Sequence, residues 1–80
     1  MDFKVDFSKV SSRFDKQNQL LSLTDCRPET WNLICDIKNI DLAIQWVRDG
    51  NDLKDFYLLE QNKCDLKLAF EINRIIKILK

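Results

Sequence analysis

Over most of the chain, apolar residues recur at steps of three and four, the spacing that gathers them on one face of an α-helix. The stretch "DCRPETW" opens one such segment. Pro28 suits a first helical turn, where its missing N–H is not needed, and Glu29 stands where the helix dipole favours negative charge. Trp31, Ile34, Cys35 and Lys38 then share a stripe, with Leu33 and Ile37 beside it. Asn39 or Asp41 caps a second helix over "LAIQWVRD" that turns Leu42, Trp46 and Val47 inward, and Gly50 stops it as a left-handed residue. Asp52 opens a third helix, "LKDFYLLEQN", with Leu53, Phe56, Tyr57 and Leu59 at suitable spacing. Both tryptophans read as core, since each buries ~150–250 Å².

The two ends of the chain fit two patterns each. In "DFKVDFSKV", Phe3, Val5 and Phe7 alternate with Lys4, Asp6 and Ser8, a strand signal, although Phe3, Phe7, Val10 and Phe14 also stand at helical spacing. The reading adopted for residues 1–10 is a short strand or extended arm, paired with a return segment at Gln19–Thr24 or with another chain. The alternative is a helix capped near Ser12 and running through Leu23, weakened by the polar run "KQNQ". At the other end, Cys64, Leu66, Leu68, Phe70 and Ile72 alternate like a strand, but the alternation fails in "NRIIKILK". A helix capped by Asp65 accounts for the whole segment. On its wheel, Leu68, Ala69, Ile72, Ile75, Ile76 and Leu79 occupy an arc of roughly 120° with no polar residue in it. That arc is the expected core face.

Turning it inward leaves Leu66 and Phe70 on the far side, with Lys63, Lys67, Arg74 and Lys77 around Phe70 within roughly 80°. An apolar anchor in a charged rim suits a protein partner. Cations around an aromatic ring also suit a nucleic acid, with phosphates on the charges and a base on the ring. The plain alternative is that the lysine and arginine stems screen Phe70, or that it packs under the N-terminal segment.

Composition narrows the field. The 80 residues make one small domain, 1–80, that is 45% hydrophobic and 32% charged, enough for a modest core. One glycine and one proline favour few, well-formed helices over many strands. Thirteen basic residues balance thirteen acidic ones, so no global field draws the chain to nucleic acid or an anionic membrane. The charges are polarised: residues 24–60 carry eight carboxylates against four cations, and residues 61–80 carry five cations against two carboxylates. Asp49, Asp52, Asp55 and Glu60 form an acidic segment that either contacts a basic partner or is simply a solvated helix start. No run approaches the ~20 apolar residues of a membrane span. The N-terminus lacks signal-peptide features, and three unpaired cysteines fit reduced thiols, so the expected location is cytoplasmic.

With no histidine, Ser–His–Asp and Cys–His catalysis and the commonest metal ligand are excluded. "DGND" lacks the spaced oxygen ligands of a calcium loop, and Cys26, Cys35 and Cys64 lack zinc spacing. Cys26 is the one thiol near a helix start, while Cys35 and Cys64 read as small apolar fillers. A chain of this size also leaves little room for a pocket of several hundred Å³ beside its core. The expectation is therefore no enzyme, metal or cofactor. The fold expected is mainly α: a compact bundle of three to five short helices with a long amphipathic C-terminal helix supplying the longest stretch of core, an N-terminal strand or hairpin being the α+β alternative. The function expected is stoichiometric binding to a larger protein, as an inhibitor, an immunity- or antitoxin-like regulator, or an adaptor. Leu66, Lys67, Phe70, Arg74 and Lys77 form one candidate patch, and Asp49, Asp52 and Asp55 the other. The alternatives are a dimeric DNA- or RNA-binding regulator using the basic C-terminal helix, and a homo-oligomer joined through the N-terminal strand.

Overall fold

The computed structural model describes the backbone of residues 7–80 and side chains from Arg13 onward. Five helices follow one another: α1 (Phe7–Leu23), α2 (Pro28–Asp36), α3 (Ile40–Arg48), α4 (Leu53–Gln61) and α5 (Leu66–Leu79), with no strand among the described residues. The mainly helical expectation holds. The strand drawn over residues 1–10 lies partly outside the described residues, and from Phe7 onward the chain is helical, including the proposed return strand at Gln19–Thr24. A lone strand leaves its backbone groups unpaired, whereas a helix satisfies its own.

The helix ends follow the local chemistry. Pro28 occupies the first turn of α2. The Asp52 carboxylate accepts the Lys54 N–H at 2.9 Å, and that of Asp65 accepts those of Lys67 and Leu68 at 3.1 and 3.4 Å. At the end of α3, Gly50 takes φ +93°, its N–H bonding to Val47 O and that of Asn51 to Trp46 O. The same closure recurs after α4, where the Lys63 N–H bonds to Glu60 O and that of Cys64 to Leu59 O. There a lysine holds the left-handed position, at φ +56°. A side chain in that region costs ~1–2 kcal/mol. Lys63→Gly is therefore expected to raise the unfolding free energy by up to about 1 kcal/mol in urea titrations, and no gain would mean the turn is not strained.

The core is built from Leu20, Ile34, Ile37, Ile40, Ala43, Ile44, Trp46, Leu53, Phe56 and Phe70. Helix α1 packs on it through Leu20 and is tethered by polar groups: Arg13 donates to the Ile37 carbonyl at 2.8 Å, and Lys16 pairs with Asp41 at 2.9 Å. The inward line of α1 thus runs through Arg13, Lys16 and Leu20, while Phe14 stays exposed. Trp46 is core as expected, but Trp31 is only half-buried.

Helix α5 reverses its expected orientation. Phe70 is its one buried residue, Leu66 and Ala69 pack partly against the core, and the other five residues of the arc taken for the core face point outward. Three rings decide this. Phe70 meets Trp46 edge-on at 5.2 Å between centroids and Phe56 at 6.5 Å, and Trp46 and Phe56 lie 6.1 Å apart. Such pairs add ~0.5–1.5 kcal/mol to their area burial. The earlier helices meet α5 through an aromatic socket, and five of the six side chains of the arc stay exposed. Far from supplying the longest stretch of core, α5 supplies one ring.

Candidate functional site

The two patches expected from the sequence fare differently. Leu66 and Phe70 are packed against the body, so neither is an exposed anchor. Lys67 and Arg74 stay exposed and line, with Phe70, Glu71, Leu42 and Gln45, a shallow cleft of about 230 Å³ between α5 and α3. Lys77 donates to the Asp49 carbonyl at the end of α3, where a cation also complements the helix dipole. One turn beyond Phe70, Asn73 turns its amide inward, with Nδ2 buried and without a partner among the described residues. The basic residues therefore frame the seam between α5 and α3, and no open aromatic ring lies among them for a base to stack on.

Asp49, Asp52 and Asp55 come together at the turn from α3 to α4 and are exposed. Two of them have structural duties. Asp52 caps α4 through its carboxylate, and its carbonyl accepts the Trp46 indole N–H at 2.7 Å; Asp49 lends its carbonyl to Lys77. The exposed thiols correct a further expectation, since Cys35 and Cys64 are free and exposed rather than apolar fillers.

A second concavity runs against the expectation of little room for a pocket of several hundred Å³. A cleft of about 540 Å³ opens between the starts of α2 and α4, lined among others by Asp25, Arg27, Thr30, Asn51 and Lys54. Its carboxylate is already engaged. Asp25 accepts the Thr30 hydroxyl at 2.6 Å and the Arg27 guanidinium at 2.9 Å. The Thr30 bond above all, with Arg27, holds this carboxyl below its ordinary pKa. A lowered folded pKa means that whatever Asp25 adds to stability is present at neutral pH and lost as pH falls through that value. No group of three or more metal-binding side chains occurs among the described residues.

The surface that sequence reasoning missed is the outer face of α5. Leu68, Ile72, Ile75 and Ile76 are about half exposed, and Ile78 and Leu79 are 80% exposed. Ile78 stands off to one side, between Lys67 and Glu71; the other five side chains share one face and leave bare on the order of 500 Å², at the upper end of the ~300–600 Å² of the largest patch on a typical monomer. Five of the six residues of the arc read from the wheel are exposed, so its direction was misassigned; Ala69 at its edge packs on the core, and Ile78 lies outside it. These features define a small helical chain with one amphipathic helix bare along its apolar side, and no helix among the described residues is long and apolar enough to cross a membrane. Compared with protein-family models, with curated proteins and with solved structures, the chain matches none.

Proposed function

We propose that the protein is a non-enzymatic protein-binding module: a small inhibitor, an immunity- or antitoxin-like regulator, or an adaptor that engages a larger protein. One observation supports this reading above all, the five apolar side chains, Leu68, Ile72, Ile75, Ile76 and Leu79, exposed along the outer face of α5. A contiguous patch of this size on a helix is the form in which an amphipathic helix enters a hydrophobic groove, with anchors at i, i+3, i+4 and i+7. Ile72, Ile75, Ile76 and Leu79 have that spacing. In this reading the contact lies on the face opposite Phe70, with Lys67, Arg74 and Lys77 on the side toward α3. The nucleic-acid alternative loses its stacking ring to the core.

The test is affinity capture from nuclease-treated native lysate with wild type, Ile75→Asp and the double variant Lys67→Glu/Arg74→Glu, each checked for folding by circular dichroism. Ile75 is exposed, so aspartate there should change stability by no more than about 0.5–1 kcal/mol. Wild type and the charge-reversed variant are expected to retain the same protein, and Ile75→Asp to lose it. Retention by Ile75→Asp with loss by the charge-reversed variant would overturn the reading. So would recovery, from untreated lysate, of nucleic acid that salt removes.

A further inference from the structure

Leu68, Ile72, Ile75 and Leu79 follow one another at steps of four, three and four residues. Spacing and residue order both read the same in either direction. Such a seam is its own complement when two copies meet antiparallel, because a two-fold axis then pairs each residue with a like one. Taking the outer face of α5 as a protein contact, on which this rests, we propose that its occupant is a second copy of the same chain. The two α5 helices pack antiparallel about an axis between Ile72 and Ile75. Leu68 of each copy sits against Leu79 of the other, and Ile72 against Ile75. These four layers run along most of a helix that is about 20 Å long.

Charge chooses the direction. Parallel packing would set Asp65 beside Asp65 and Lys80 beside Lys80. Antiparallel packing instead brings the carboxylate at the start of one helix to the ammonium at the end of the other, twice over. It also opposes the two helix dipoles and sets Glu71 within side-chain reach of Arg74 across the axis. Size agrees at the flank: Ala69, the one small residue beside the seam, leaves space for Ile76 of the second copy. The face bares on the order of 500 Å² per copy, which suits one of the smaller interfaces, below ~1,200 Å² in total, that dissociate on dilution. A different protein using the same face must exchange with the second copy, so self-association would set its apparent affinity.

Sedimentation equilibrium tests the pairing. Wild type is expected at twice the 9.5 kDa of one chain, dissociating on dilution, and Ile75→Asp at the mass of one chain with an unchanged circular dichroism spectrum. Direction is read by cross-linking in a background where Cys26, Cys35 and Cys64 are serine. Leu68→Cys/Leu79→Cys should oxidise to a covalent dimer, and each single cysteine should not. In the antiparallel pair two copies of either single cysteine stand about 16 Å apart along the axis, beyond the ~7 Å Cα separation a disulfide spans. Cross-linking by Leu68→Cys alone would overturn the antiparallel arrangement. A wild type with the mass of one chain at every concentration would overturn the second copy. The two readings fail separately: a monomer whose captured protein is lost with Ile75→Asp sinks self-pairing and leaves protein binding standing. A dimer whose captured protein survives Ile75→Asp does the reverse.

Discussion

Phe70→Ala should lower the unfolding free energy by about 3–5 kcal/mol, the range for emptying a buried aromatic site. The ring is 7% exposed, fills the angle between Trp46 and Phe56, and is the one buried side chain of α5. Losing it removes the socket contact and leaves a cavity that two rings cannot collapse into without giving up their own contact. Because α5 has no second buried anchor, the loss should undock the helix as well as weaken the core, seen as a first transition in urea before the main one. The comparison that decides the orientation is Ile76→Ala, made with Phe70→Ala in an Ile75→Asp background so that self-association does not enter. Ile76 is 47% exposed and should cost well under half as much. Equal costs, or a larger one at Ile76, would mean that α5 docks by its aliphatic arc and that the socket is misplaced.

Glu60→Ala is the second large effect, expected at about 2 kcal/mol. This carboxylate reaches from α4 to the connection between α2 and α3, accepting the Lys38 N–H at 3.0 Å, the Asn39 N–H at 2.8 Å and the Asn39 side-chain amide at 3.2 Å. Asn39 makes no side-chain cap of its own at the start of α3. Glu60 thus does for α3, from another helix, what the acid of a capping box does within one. Glu60→Gln should fall between wild type and alanine, since it keeps an acceptor and loses the charge. Amide exchange at Lys38 and Asn39 gives an independent reading. If alanine costs no more than an ordinary surface substitution, within about 0.5 kcal/mol, the tether is ornamental.

What could be read from the sequence was what is local. Pro28, Gly50, Asp52 and Asp65 act on backbone groups within a few residues of themselves, and each marks its helix end where the pattern put it. Two failures share another cause. The alternation over Phe3–Phe7 outweighed the helical spacing that continues to Phe14, because α1 turns Arg13 and Lys16 toward the body and lets Phe14 face water; tethers to Ile37 and Asp41 are distant in sequence and leave no periodic trace. The wheel of α5 counted aliphatic side chains correctly but held no information about the opposing surface. Which face goes inward was decided by Trp46, two helices earlier, and Phe56, one helix earlier. Glu60 was grouped with an acidic surface segment, and nothing within several residues of it points to Lys38. Lysine at position 63 likewise gives no hint of a left-handed backbone, which sequence reading reserves for glycine or asparagine.

The aromatic joint has an optical consequence. Two indoles report for the whole chain, and they stand in unlike places: Trp31 is only partly buried on α2, while Trp46 lies against the ring of Phe70 with its N–H committed to the Asp52 carbonyl. The emission of Trp46 is therefore tied to the seat of the last helix. In a Trp31→Phe background the protein becomes its own fluorescent gauge of whether α5 is docked, with no dye attached to the face whose occupant is in question.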